Sequence, residues 1–122
     1  MKILVTGGCG FIGSNYIINQ IKNKNNVIMN LDNLTYAGNP DNLKLINNNK
    51  NYSFFKGSIC DPTFVNKSIE QFQPDAIVHF AAESHVDRSI DGPMKFIKTN
   101  ILGTGVLLEA ALNYWREKVK KK

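Results

Sequence analysis

Thr6-Gly7-Gly8-Cys9-Gly10-Phe11-Ile12-Gly13 is the stretch that decides how this chain folds. Gly7, Gly10 and Gly13 follow a short apolar run, Lys2 to Thr6, and open a segment of helical periodicity, Phe11 to Lys22. Phe11, Ile12, Tyr16, Ile17, Ile18 and Ile21 mark that helix's apolar stripe. A buried strand that turns through glycines into a helix begins a βαβ unit. Gly7 permits a tight turn, Gly10 lets the backbone approach a large anion without a Cβ, and Gly13 lets the helix lie close to the strand. The first amides of such a helix lack intrahelical partners and face the anion. Taken alone the pattern is weak, because βα turns need glycine for conformational reasons as well.

The next segments supply context. Val27 to Leu31 reads as a second strand and ends at Asp32, 19 residues after Gly13. A carboxylate there can accept hydrogen bonds from both hydroxyls of an adenosine ribose and would repel a 2′-phosphate, so NAD is favoured over NADP. The competing reading makes Asp32 a turn cap. Pro40 to Ile46 is a short helix at best, Tyr52 to Lys56 a third strand, and Asp61-Pro62 starts a helix reaching about Phe72. Ala76 to Phe80 is a fourth strand, and Asp91-Gly92-Pro93 opens a last helix. Ile97, Ile101, Thr104, Leu108, Ala111 and Trp115 recur there at helical spacing and are expected to form its buried face, with Gly103 and Gly105 allowing close packing on the sheet. Four strands, each followed by a helix through right-handed crossovers, predict an α/β doubly wound parallel sheet in the order 3-2-1-4, part of an NAD(P)-binding Rossmann fold.

Composition sets limits. At 122 residues and 43% hydrophobic the chain suits one domain with one core. Of its net charge of +5, a net +4 lies in Arg116 to Lys122, five basic residues and one acid, so a solvated helix end explains it and nucleic-acid or membrane binding is not expected. Cys9 and Cys60 have no Cys-x-x-Cys spacing, which fits a reduced, cytoplasmic protein, and no signal-like or membrane-spanning run is visible. His79 and His85 have no third ligand at a zinc-like spacing, so no metal is expected. His79 reads as a satisfied structural histidine within its strand, and a functional role for His85 is left open.

Three longer stretches resemble the extended short-chain dehydrogenase/reductases, the epimerase/dehydratase family, and within it the dTDP-glucose 4,6-dehydratases. Leu31-Asp32-Asn33-Leu34-Thr35-Tyr36-Ala37-Gly38-Asn39-Pro40-Asp41-Asn42-Leu43 resembles that group after its second strand. His79-Phe80-Ala81-Ala82-Glu83-Ser84-His85-Val86-Asp87-Arg88-Ser89-Ile90 resembles its strand-four loop, and Phe96-Ile97-Lys98-Thr99-Asn100-Ile101-Leu102-Gly103-Thr104 its next helix. The resemblance implies NAD contacts at Phe11 and Ile12, at Asp32, Asn33, Leu34 and Thr35, at Ala81, Ala82, Glu83 and Ser84, and at Thr99. It places Ser84 against a dTDP-sugar substrate as well, with His85 nearby. Ala81 and Ala82 either make room for a flat nicotinamide or simply pack the strand end. One position departs from the group's pattern: after Gly57 stands Ser58 where an acid usually meets the adenine amino group. That contact is expected to be weaker or bridged by water, with Ile59 still packing on the ring.

The family oxidises its sugar with a Tyr-x-x-x-Lys pair in which lysine lowers the tyrosine pKa. Two stretches match the spacing, and neither is expected to be catalytic. Tyr52 and Lys56 lie in a strand, about 13 Å apart. Tyr114 and Lys118 close the last helix, about 30 Å from the ligand edge. The expectation is therefore the front of such an enzyme, inactive by itself, with later strands and the substrate domain absent. On that expectation the fourth strand is an exposed edge, the chain self-associates through it or through the last helix, and the parent is a homodimer. A UDP-sugar epimerase or decarboxylase of the same superfamily and a naturally short, non-catalytic NAD-binding module are the alternatives.

Overall fold

A computed structural model describes residues 1–34, 40–81, 94 and 97–120. The elements run β1 (Lys2–Thr6), α1 (Phe11–Ile21), β2 (Val27–Asp32), a 3-10 segment (Pro40–Ile46) kinked at Leu43, β3 (Tyr52–Lys56), α2 (Pro62–Phe72), β4 (Ala76–His79), a π-helical turn (Lys98–Gly103) and α3 (Thr104–Lys120). The four strands are all parallel, in the order β3-β2-β1-β4. This is the predicted doubly wound topology. The expected helix start at residues 91–93 lies outside the described residues.

Alternation along the strands explains the two layers, since successive side chains point to opposite faces of a sheet. Leu4, Met29 and Leu31 pack on one face with Ile59, Val65, Ile69 and Phe72 and with Leu107 and Ala110 of α3. Ile3, Val5 and Ile28 pack on the other with Cys9, Ile17 and Ile21 of the glycine loop and α1, with Leu43 of the 3-10 segment and with Tyr52. One core face is thus sealed by α2 and α3 and the other by α1.

Local chemistry sets the helix ends. Asp61 caps α2 by accepting from the Thr63 and Phe64 amides, with Pro62 at the first position, where a missing N–H removes nothing. Gln73 ends α2 in the left-handed region, φ 55°. The amino edge of β4 is tied down by Asp75, whose carboxylate accepts from the Lys2 amide at 2.8 Å. Tyr114 of α3 donates to the Pro74 carbonyl at 3.1 Å, and Lys118 lies 3.9 Å from Asp75. The Tyr114/Lys118 pair therefore stands at the opposite edge of the sheet from the glycine loop.

Two expectations about the last helix need correction. Its buried face is Gly103, Leu107 and Ala110, with Tyr114 packed beside them; of the expected stripe, Thr104, Ala111 and Trp115 are half-buried, while Ile97, Ile101 and Leu108 are exposed. Ile101 and Leu108 are 68% and 64% exposed. The cause is steric: a Cβ on Gly103 would come within 2.7 Å of the Ile59 side chain, so the bare backbone at that position makes the close approach. Gly105, in contrast, has nothing among the described residues within 4 Å of a Cβ position, so it makes no such approach there.

Candidate functional site

Parallel strands bring their carboxyl ends to one edge, and there the glycine loop, Asp32, Gly57-Ser58 and Ala81 meet. Gly7 adopts φ +69°, and a Cβ on it would stand 2.5 Å from the Ala81 amide nitrogen, so only glycine lets the loop pass under the chain leaving β4. A Cβ on Gly13 would lie 2.4 Å from the Gly7 carbonyl, which accounts for the close seating of α1 on the loop. The amides of Gly7 and Ser14 bond to the Leu31 and Gly10 carbonyls at 2.8 and 2.9 Å.

Asp32 is 7% exposed, and both of its carboxylate oxygens receive backbone amides. Cys9 N–H donates to Oδ2 at 2.8 Å and Leu34 N–H to Oδ1 at 2.7 Å. The acid at the tip of β2 and the loop after β1 are thus in direct contact on one edge, the arrangement on which the dinucleotide reading depends. A carboxylate has about four lone-pair sites, more than the two amides from the described residues occupy. Asp32 also fixes Leu34, a non-glycine residue at φ 54°, by closing a side-chain turn around it. Asn33 beside it is exposed.

Gly10 is the N-cap of α1 and offers no side-chain cap to its first amides. Phe11 and Ile12 follow, 80% and 68% exposed, an apolar pair at the positive end of a helix dipole. Uncapped amides flanked by exposed apolar side chains suit a ligand that carries both an anion and flat apolar rings.

Gly57 N–H donates to the Asp32 carbonyl at 3.1 Å, which sets Ser58 beside the acid. The Ser58 hydroxyl accepts the Cys60 amide at 3.1 Å, leaving its own proton to donate. Ile59 is 5% exposed and packs in the core with Leu31 and Val65. Ala81 is half-buried and its amide donates to Thr6 Oγ1 at 3.3 Å. Thr35, Ala82, Glu83, Ser84 and His85 lie outside the described residues, as does the side chain of Thr99.

His79 ties the edge together. Nδ1 lies 2.6 Å from Thr6 Oγ1 and Nε2 3.0 Å from Thr104 Oγ1. Both ring nitrogens are partnered by hydroxyls, the structural role expected, and burial holds its pKa below the usual histidine value. Tyr52, on the interior of β3, accepts from Asn30 Nδ2 at 3.2 Å, and burial pushes its phenol pKa up, the wrong direction for a base. Burial and the neighbouring Asp32 likewise push the Cys9 thiol up to about 12.

Sequence reasoning overlooked the supports of the loop: Thr6, Asn30 and Asn42, whose Nδ2 donates to the Cys9 carbonyl at 2.9 Å. A signal existed for Asn30, the one polar residue inside the apolar run Val27 to Leu31. Among the described residues no helix is long and apolar enough to cross a membrane.

Known proteins resemble the chain in both sequence and fold. The chain matches the family described as GDP-mannose 4,6 dehydratase over residues 4–122. It is 54% identical over 115 residues to dTDP-glucose 4,6-dehydratase of Salmonella typhimurium, covering 94% of this chain and 32% of that protein. Among solved structures, dTDP-glucose 4,6-dehydratase of Streptomyces venezuelae with NAD bound superposes with a TM-score of 0.87 at 42% identity, over 93% of this chain and 36% of the other. The UDP-glucose 4-epimerase of Thermus thermophilus in complex with NAD gives 0.79 at 34% identity, covering 93% and 34%. The chain spans about a third of the length of the curated relatives it matches.

Proposed function

The chain belongs to the GDP-mannose 4,6-dehydratase family, and from that premise we propose that it is the NAD-binding part of an enzyme converting dTDP-glucose to dTDP-4-keto-6-deoxyglucose. The observation that carries this reading is the bond between Asp32 and the Cys9 amide, which sets a ribose-binding carboxylate against an anion-binding loop. The residues fit the cofactor. The amides of Phe11 and Ile12 take the diphosphate, Gly7, Gly10 and Gly13 make room for it, and Asp32 with Asn33, Leu34 and Thr35 holds the adenosine ribose. Ser58, through its free proton, and the backbone at Ile59 border the adenine. Ala81, Ala82, Glu83, Ser84 and Thr99 line the nicotinamide end, with Ser84 and His85 toward the sugar. NAD, when bound, supplies the acceptor and then the donor of the hydride exchanged with the sugar.

Acid-base chemistry on the sugar falls to groups other than the two Tyr/Lys pairs, since Tyr52 is a buried hydrogen-bond acceptor and Tyr114 faces Pro74 at the far edge. The 122-residue chain by itself, a partial domain of the whole enzyme, is therefore expected to be inactive. Ile97, Ile101, Leu108, Leu112 and Val119 leave an apolar stripe exposed along the last helix, and we assign self-association of the chain, and a homodimer of the parent, to it. A UDP-sugar epimerase is the second reading, favoured by the epimerase neighbour. The higher identity to dehydratases supports the first.

Titration calorimetry of the chain with NAD and NADP tests the cofactor assignment. NAD is expected to bind more tightly, and equal or tighter binding of NADP would refute the role given to Asp32. Detectable dehydration of dTDP-glucose by the chain alone would refute the placement of the chemistry elsewhere.

A further inference from the structure

Asn30 has no solvent exposure and sits in β2 between Met29 and Leu31. A buried amide in an apolar strand destabilises the fold unless each polar atom is bonded. Here Oδ1 accepts the Gly8 amide at 2.9 Å, while Nδ2 donates to Tyr52 Oη at 3.2 Å and faces Cys9 Sγ at 3.5 Å. Its orientation is forced, because the Gly8 N–H can only donate and so requires the oxygen. Two residues on, and on the same face of the strand, Asp32 takes the next amide, that of Cys9. Asn42 holds the Cys9 carbonyl from the 3-10 segment. The amides at positions 8 and 9 are therefore committed to β2 side chains, and within the glycine loop those at the start of α1 are left for a phosphate.

From this division we infer that Asn30 is a positioning residue for the dinucleotide: by taking the Gly8 amide it sets the height of the loop over β2, and with it the aim of the Phe11 and Ile12 amides. It touches no ligand and acts through the loop. The inference rests on the NAD-binding reading above.

A residue that only fills the core would alter stability without imposing a new pH dependence on NAD affinity. Asn30→Asp separates the two roles. Protonated, the new carboxyl copies the amide, its carbonyl accepting from Gly8 and its O–H donating to Tyr52. Ionised, it places a negative charge beneath the loop that must hold a diphosphate. The titratable groups facing it are the Cys9 thiol from the loop, the Tyr52 phenol from β3 and Asp32 from its own strand, while α1 presents Ile17. Cys9 and Tyr52 are held protonated by burial, and Asp32 is common to parent and variant, so the difference between their profiles reports the new carboxyl.

The experiment is NAD titration calorimetry on the whole chain, from about pH 5 to pH 8, for the parent, Asn30→Asp and Asn30→Leu, with circular dichroism as the check on folding. Relative to the parent at each pH, Asn30→Asp is expected to lose about tenfold or more in affinity as pH rises across that range. Asn30→Leu, which leaves the Gly8 amide unpaired, is expected to bind about tenfold more weakly throughout. If Asn30→Leu does not fold, the Asn30→Asp profile decides alone. A parent that binds NAD alongside an Asn30→Asp profile parallel to its own overturns the inference and leaves the cofactor reading standing. A parent that does not bind NAD overturns both.

Discussion

Replacing Gly7 by alanine tests the geometry of the loop more sharply than removing any side chain. Two effects add. The backbone at φ +69° is the left-handed region, which costs an L-residue roughly 1–2 kcal/mol. The new methyl would then lie 2.5 Å from the Ala81 nitrogen and 2.7 Å from its Cα, backbone atoms that cannot rotate away. Such overpacking typically costs about 1–3 kcal/mol. Together the loss is about 2–5 kcal/mol. At about 2.1 cal/mol/K of unfolding entropy per residue, 1 kcal/mol corresponds to roughly 4 °C for a chain of 122 residues, so Tm should fall by about 8–20 °C. Gly105→Ala is the matched control: with nothing among the described residues within 4 Å of its Cβ position, and exposed where the π-helical turn runs on into α3, it should gain about 0.5–1 kcal/mol of helix propensity and raise Tm by about 2–4 °C. Scanning calorimetry on both variants measures the contrast. A Gly7→Ala melt within about 2 °C of the parent would refute the claim that the chain after β4 presses on the loop.

Asp61→Ala removes the acceptor for the Thr63 and Phe64 amides and should cost about 1 kcal/mol by urea denaturation, whereas Asp61→Ser should recover most of it. His79 is held below its usual pKa of 6.5 by burial, so the unfolded chain binds the proton more readily. Stability should be flat above about pH 6.5, fall as pH drops from there through the folded-state value, and lose that slope in His79→Gln, as followed by thermal melts. The Cys9 thiol, buried and pushed up to about 12, should resist iodoacetamide at neutral pH in the folded chain, while the half-buried Cys60 is alkylated first. Mass spectrometry showing Cys9 modified first would contradict the burial of the loop.

Most of the framework could be read without coordinates because it rests on short-range rules. Runs such as Ile3 to Val5 are too short to be helices and too apolar to be loops, and a parallel sheet covered on both faces asks for strands of that kind. Asp61-Pro62 announces a helix start by what each residue can do for an orphan amide. The last helix was misread for an equally physical reason. Its apolar residues reach much of the way round, Val106, Leu107, Leu108, Ala110, Ala111 and Leu112 in near succession, so hydrophobicity alone admits more than one stripe. What selects the buried face is Gly103, which contributes nothing to an apolar pattern and is the residue that lets the helix come closest to Ile59.

Similar logic explains why the glycines and Asp32 were legible while their supports were not. A glycine pattern and an acid at a strand tip advertise a ligand, because both are locally unfavourable unless something outside the backbone uses them. Asn30, Asn42 and Thr6 are ordinary polar residues whose partners lie 22, 33 and 73 positions away, and no spacing rule connects them. Among them Asn30 takes the Gly8 amide while Asp32 takes that of Cys9, so the loop's inner amides are spent on protein acceptors, and Asn42 holds the Cys9 carbonyl from the other side. An anion arriving at this edge then meets the start of α1 and not the crown of the loop, so the ligand's register along the crevice is set from β2, one layer behind the residues that touch it.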